Sequence, residues 1–182
     1  MKNYLVKKLI ELGKQKSSPM YKISATIVGG TFFAAILPFF LIKLGNFVGQ
    51  FITIKWPPVV GQLIVWLAIP LGLFFLIWTI TFQWKIGKAG PSHFISAQKL
   101  VISGPYKLCR NPMQLGGILY YLGVGTFFAS PTVGIFCALV NYILGKTYHK
   151  LVEEKELEAL FGDEYRKYKK ETPFLIPKLW KK

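Results

Sequence analysis

Acidic side chains are few and segregated. Of 182 residues only 8 are Asp or Glu, against 23 Lys and Arg, and the stretch from Leu12 to Val152 holds no carboxylate side chain. That excludes a carboxylate base from the middle of the chain. Cysteine is also scarce. Cys109 and Cys137 lie 28 positions apart with no C-x-x-C, which excludes a disulfide framework and suggests no metal site, so both are expected as thiols. The one Gly-x-Gly, Gly123-Val124-Gly125, falls inside an apolar run and not after a soluble strand, which excludes a Rossmann site. Internal repeats and low-complexity segments are absent. So is a cleavable signal peptide: the first apolar run is long, follows a 22-residue basic arm and lacks a small-residue cleavage site.

What the chain has is apolar length. Hydrophobic residues make up 52% and aromatics 16%, with a mean hydropathy of +0.39, too apolar for an ordinary soluble domain. The 20 uncharged residues Ile23 to Ile42 are enough, at about 1.5 Å each, to cross a hydrocarbon core of ~30 Å. Between Lys55 and Lys85 lie 29 more, with Trp56 and Trp84 at belt positions and Val59 to Phe82 as the core. From Asn111 to Tyr148 the only charge is Lys146, and Ser130-Pro131 divides the run into a helical hairpin.

Lys and Arg set the expected orientation. The arm up to Lys22 carries six, the segment from Lys85 to Arg110 five and the tail from Lys150 nine, while Lys43 and Lys55 alone face the other side. By the positive-inside rule both termini and the central loop are cytoplasmic. The fold expected is all-α: a multi-pass integral membrane protein of about four transmembrane helices, with five as the alternative, and a single domain over 1–182. Residues 1–22 form the basic arm, 23–148 the spans with a cytoplasmic loop at 85–111, and 149–182 a cytoplasmic helix and tail. Tyr4, Leu5, Leu9 and Leu12, alternating with Lys7, Lys8 and Glu11, fit a short interfacial helix. The net charge of +15 is accounted for by topology and contact with anionic membrane lipids, and no nucleic acid is needed to explain it.

Two cytoplasmic segments carry the candidate chemistry. The first runs from Gln98 to Gln114 and ends on Asn111-Pro112, an N-cap followed by proline at the first helical position. The helix start offers unpaired N–H groups and a positive dipole end to an anionic group, with Arg110 beside it. The plainer reading is that Asn-Pro only starts a helix and Arg110 only anchors it. In the second segment His149 and Glu153 are four apart and share a helix face where the chain leaves the bilayer. The plainer reading there is a solvated helix with a Lys150–Glu154 pair and Gly162 as its stop.

Taken in order, Gly104-Pro105-Tyr106, Arg110-Asn111-Pro112-Met113-Gln114, Glu153-Glu154, Phe161-Gly162-Asp163-Glu164-Tyr165-Arg166-Lys167-Tyr168 and Ile176-Pro177 resemble a known pattern. It is that of the isoprenylcysteine carboxyl methyltransferase and phospholipid methyltransferase superfamily of membrane methyltransferases. The resemblance covers roughly Gln98 to Pro177. It implies S-adenosyl-L-methionine as cofactor, held without a Rossmann domain. Gln98, Lys99, Leu100 and Val101 would line one side of the pocket and Tyr106 another. Asn111, Pro112, Met113 and Gln114 would meet the methionine end, and Glu153 would accept from the amino group or the ribose.

The chain departs from the pattern in places. Asn111 and Gln114 stand where His and Tyr are commonest, His149 stands where an arginine for the substrate carboxylate is expected, and Thr172-Pro173-Phe174-Leu175-Ile176-Pro177 lacks the usual Arg. The acceptor implied is a lipid or prenylated small molecule, with prenylcysteine-like carboxyl methylation ahead of phospholipid amine methylation. A nicotinamide-dependent sterol reductase and a non-catalytic membrane adaptor of the same fold are the competing readings. In-line transfer from a sulfonium needs position and water exclusion more than a base. Should a base be required, His149, His93, Glu153, Glu154 or a tyrosine would supply it. His149 would be the residue on the acceptor: protonated it pairs with a carboxylate, neutral it takes a proton from an amine.

Overall fold

The computed structural model describes residues 19–52, 54–87 and 99–176. Residues 1–18 of the basic arm, with its expected interfacial helix, and His93, Gln98 and Pro177 lie outside them, while the arm's last four residues belong to the first helix. The described residues are helical, with no strand. Helix α1 (Pro19–Thr31) passes through a π-helical turn (Phe32–Ile36) into α2 (Leu37–Gly49). Helix α3 (Pro58–Phe82) ends in a second π-helical turn (Gln83–Gly87), and a short 3-10 turn (Gly104–Lys107) follows. Then come α4 (Pro112–Phe128), α5 (Pro131–Tyr148), a third π-helical turn (His149–Glu153) and α6 (Glu154–Glu171).

The expected break at Ser130-Pro131 is where α4 gives way to α5. Pro131 takes the first helical position, and the Ser130 hydroxyl accepts from the Val133 N–H at 3.3 Å, a cap for one of the orphan donors. The second apolar core, read as Val59 to Phe82, coincides with α3 to within one residue. The first differs. Its apolar stretch runs Ile27–Gly49, beyond Lys43, because the Lys43 ammonium lies 5.6 Å from the Phe39 ring centroid on its own helix and need not end it.

Residues 31–77 and 113–145 form one compact unit. Its centre is Leu41, Tyr121, Val133 and Cys137, flanked by Leu37, Tyr120, Phe136 and Val140. Two backbone approaches make it possible. A Cβ on Gly72 would sit 2.6 Å from the Tyr120 nitrogen, and one on Gly125 would sit 2.8 Å from the Gly134 Cα, so α3 meets α4 and α4 meets α5 only through glycine. The π-helical turn between α1 and α2 shifts its carbonyls off the α-helical ladder, and tyrosine hydroxyls from α4 use two of them. Tyr121 donates to the Phe33 carbonyl at 2.6 Å and Tyr120 to that of Ala34 at 2.9 Å. Trp56 donates to the Thr132 hydroxyl at 2.9 Å, tying the start of α3 to the hairpin turn.

The outward faces are the opposite of a soluble helix. Trp66 is 77% exposed and Phe40 62%, with Phe39, Leu67, Phe74 and Ile77 also in the open. At roughly 25 cal/mol per Å², leaving such faces in water is costly, and hydrocarbon removes the cost. Among the described residues two helices, Ile27–Gly49 and Pro58–Gly87, are long and apolar enough to cross a bilayer. The protein associates with membranes through them.

Candidate active site

The second unit includes residues 78–112 and 146–182 and gathers the loop after α3 with α6. The loop is docked by one glycine. Gly104 has φ +60°, and a Cβ there would run into the Phe82 ring, so the Gly-Pro-Tyr turn can lie flat on the end of α3. This brings the Tyr106 hydroxyl within 2.6 Å of the Gln83 amide nitrogen, which donates to it. From the other side Tyr168 donates to the Tyr106 carbonyl at 2.8 Å. Burial, then the nearby charge of Glu153, push the Tyr106 phenol well above its usual range, so it stays protonated. Burial likewise raises the Cys109 thiol to about 11 although a backbone N–H opposes the shift, and the residue is fully enclosed.

The aromatic motif on α6 is largely structural. Gly162, read from sequence as a helix stop, instead kinks the helix with φ 52° and ψ −124°, and α6 continues to Glu171. The continuation turns Tyr165 and Tyr168 inward, 2% and 9% exposed. Burial first, then Glu154, raise the Tyr165 phenol to about 12, with Arg110 hydrogen-bonded to it and opposing the shift. Arg110 ties three segments together. It donates to Glu154 at 2.6 Å and to the Thr172 carbonyl at 3.1 Å, while its own N–H reaches the Pro173 carbonyl at 2.9 Å. The Asn111 amide donates to the Phe174 carbonyl at 3.0 Å, and the Phe174 ring lies 5.6 Å from the guanidinium and 6.2 Å from the His149 ring. The 172–174 segment is therefore strapped onto the start of α4. Glu154 completes the cluster through Lys169 at 2.7 Å, not through Lys150.

His149 and Glu153, expected on one face, are hydrogen-bonded to each other through Nδ1, which assigns the carboxylate as the group that orients the ring. Of the residues implied as cofactor ligands, Val101 is buried, Leu100 partly so and Lys99 exposed. Tyr106 and Glu153, 47 positions apart, lie within one electrostatic neighbourhood. Asn111 and Pro112 stand at the start of α4, with Met113 next. Gln114 lies within the hairpin, where its amide donates to the Asn141 carbonyl at 2.8 Å and side-chain oxygen at 3.0 Å, in space that Gly145 leaves free. Thr79 and Gln83 were missed. The available signal was the polar set Thr79, Thr81 and Gln83 at the end of a long apolar run, with Thr79 and Gln83 one turn apart. Among the described residues no group of His, Cys, Asp and Glu could hold a metal ion.

The buried cysteines give a check on this packing. Cys109 and Cys137 in the folded protein should resist maleimide at pH 8 and react only after unfolding in dodecyl sulfate, since reaction needs the thiolate and access. Labelling of the native protein would contradict the packing.

The Gly-Pro-Tyr turn, the Asn-Pro helix start and the Glu-Glu pair before the tyrosine-bearing helix are the segments that carried the resemblance, and a family comparison agrees. The model for phospholipid methyltransferases matches residues 56–164, and the chain belongs to that family. Among curated proteins, it is 30% identical over 93 residues to the protein-S-isoprenylcysteine O-methyltransferase of Mus musculus (47% of this chain, 32% of that protein). It is 32% identical over 97 residues to the cobalt-zinc-cadmium resistance protein CzcN of Cupriavidus metallidurans (52% and 44%). To the methanethiol S-methyltransferase of Pseudomonas deceptionensis it is 39% identical over 79 residues (41% and 27%). The chain thus covers less than half the length of each.

Proposed function

We propose that this protein transfers a methyl group from S-adenosylmethionine to a lipid or lipid-linked acceptor at the membrane surface, with a prenylcysteine-like carboxylate as the favoured acceptor. The observation that carries the reading is the convergence of Tyr106 and Glu153. The nearness of the central loop to the turn after the hairpin supports the pocket that the resemblance implies. The donor set also fits: a carboxylate beside a protonated phenol suits a ligand that brings an ammonium, ribose hydroxyls and ring nitrogens. When bound, S-adenosylmethionine supplies an activated methyl on a sulfonium.

The chain's own residues hold and shield. Glu153 accepts from the amino or ribose hydroxyl group while keeping His149 in one orientation. Arg110 is paired with Glu154 and is left to the strap. Nearby His149 faces the acceptor, with Phe174 beside it excluding water.

Four spans with both termini and Lys99 cytoplasmic belong to the same reading. A Lys55→Cys variant should label only from the opposite side, the native thiols being silent. Labelling from the cytoplasmic side alone would overturn the topology.

Calorimetry of the detergent-solubilised chain with S-adenosylhomocysteine tests the cofactor directly. Glu153→Gln should weaken binding by about 1.5 to 3 kcal/mol, the range for a hydrogen bond to a charged group. Glu158→Gln, further along α6 and paired only with Lys169 near the surface, should change little. A folded parent protein that ignores S-adenosylhomocysteine would leave the adaptor reading, and a response to a reduced nicotinamide alone would favour the reductase.

A further inference from the structure

Two buried polar atoms in this unit have no partner: the Thr79 hydroxyl and the Gln83 amide oxygen. Both lie at the end of α3 and its π-helical turn, one helical turn apart on the same face. Thr79 is 0% exposed. A threonine inside a helix has an easy way to satisfy its hydroxyl, by donating to the carbonyl one turn back. Thr126 does so, to Leu122 at 2.7 Å. Thr79 does not. The Gln83 amide is equally constrained: its nitrogen is held by the Tyr106 hydroxyl at 2.6 Å, which leaves the oxygen turned away from that bond with no donor to meet. Leaving two such atoms unmet is disfavoured in a protein interior and more so at bilayer depth. A π-helical turn at this point is a further mark of a site, since such turns commonly re-aim side chains toward ligands.

We propose that Thr79 and Gln83 form the acceptor-recognition subsite of this methyltransferase and that it takes an N–H group carried by a membrane-embedded substrate. The chemistry selects the ligand. The Gln83 oxygen can only accept, so its partner must donate. A carboxylate, thioether or trimethylated amine placed against it offers no proton and leaves it unmet. An amide or a primary amine supplies one, and the Thr79 hydroxyl then takes the second polar atom of an amide or a second N–H of an amine. Position selects the route of entry. Thr79 lies about 6 Å deeper than Gln83 along the helix axis, within the apolar stretch, with Phe82 between them in sequence and the tyrosine-bearing loop on the outer side. A ligand group arrives there from the lipid more readily than from water. Two sources carry this chemistry: the amide N–H of an acylated prenylcysteine, next to the carboxylate to be methylated, and the amine of an aminophospholipid. The proposal rests on the methyltransferase reading for the reaction but not for the binding.

The test uses the full chain in phosphatidylcholine nanodiscs, whose headgroup has no N–H. Equilibrium binding and methyl transfer are measured with N-acetyl-S-farnesylcysteine, with the matching S-farnesyl thiopropionate that lacks the acylamino group, and with phosphatidylethanolamine doped into the discs. The parent should bind one N–H source about 10-fold more tightly than its N–H-free counterpart, the usual size of one hydrogen bond. Thr79→Val should abolish that ratio while leaving the affinity for the N–H-free ligand and for S-adenosylhomocysteine unchanged; Gln83→Met should abolish it too, with some loss of S-adenosylhomocysteine affinity because its bond to Tyr106 goes. Without ligand, Thr79→Val should melt no lower than the parent, because the hydroxyl has nothing to lose. Preference for the farnesyl amide assigns a lipidated cysteine, and preference for phosphatidylethanolamine assigns an aminophospholipid. No preference in the parent, or a preference that survives both substitutions, overturns the subsite. So does a lower melting temperature for ligand-free Thr79→Val. N–H-selective binding without methyl transfer would keep the subsite and remove the methyltransferase reading. Methyl transfer indifferent to both substitutions would do the reverse.

Discussion

Gly104→Ala should destabilise the loop unit more than any other single methyl added to it. The residue sits at φ +60°, where an L side chain costs about 1 to 2 kcal/mol. The new Cβ would also enter the Phe82 ring, and overpacking of this kind adds about 1 to 3 kcal/mol. The two costs have different cures. Gly104→Asn, which tolerates the left-handed region, should relieve part of the first. Phe82→Ala in the Gly104→Ala background should relieve the second but not the first. Because Tyr106 follows two residues later and is held from Gln83 and Tyr168, lifting the turn should also weaken S-adenosylhomocysteine binding. Urea or thermal midpoints for the four proteins, read with calorimetry, give the answer. A Gly104→Ala protein as stable as the parent would mean that the turn does not lie on Phe82.

That glycine shows how the sequence could be read and where it could not. The order Gly-Pro-Tyr, Arg-Asn-Pro, Glu-Glu, Tyr-x-x-Tyr was visible, and so was the family. The duties of those residues were not, because they depend on partners distant in the chain. Asn111 was expected to cap α4 through its side-chain oxygen, but nothing local announced that its amide nitrogen would hold the Phe174 carbonyl. Glu154 was paired with Lys150 by the four-residue rule, yet Arg110 and Lys169 reach it, since a guanidinium already fixed by the Thr172 carbonyl outcompetes an exposed lysine that must order its whole stem. Gly162 looked like a stop because glycine after a helical run usually is one. Here the inward-turned Tyr165 and Tyr168 restart the helix beyond it. Periodicity and charge fared better on the spans, where one local property decides the outcome. Val59 to Phe82 was placed to within a residue because nothing charged interrupts it. The first apolar stretch was ended too early at Lys43, a charge with a stem long enough to stay.

Acidity and alkalinity should leave the strap intact near neutral pH. Lys169 is raised, chiefly by its hydrogen bond to Glu154, with burial opposing. Its contribution is fully present below the ordinary lysine range and is lost only as pH climbs through the raised value. The strap must therefore be broken by substitution.

Arg110→Met should cost about 3 kcal/mol, the lower part of the range for breaking a buried pair from one side. Glu154 and Arg110 are only 13% and 12% exposed, so the carboxylate left behind cannot recover its water, although Lys169 at 2.7 Å compensates part of the charge. The Thr172 carbonyl also loses its donor. Arg110→Lys should recover little. One ammonium cannot reach Glu154 and Thr172 together in the fork geometry that the guanidinium uses. Removing both partners is the informative comparison: Arg110→Met with Glu154→Met takes the two charges out together, and a buried pair replaced by apolar groups of similar volume is often close to neutral. The double variant should therefore be more stable than Arg110→Met alone. Its 172–176 segment should still be more open to protease than in the parent, because the tie to Thr172 is gone in both. If the double variant is as unstable as the two single losses added together, Arg110 and Glu154 act independently, and the strap is held by Asn111 and the Pro173 carbonyl alone.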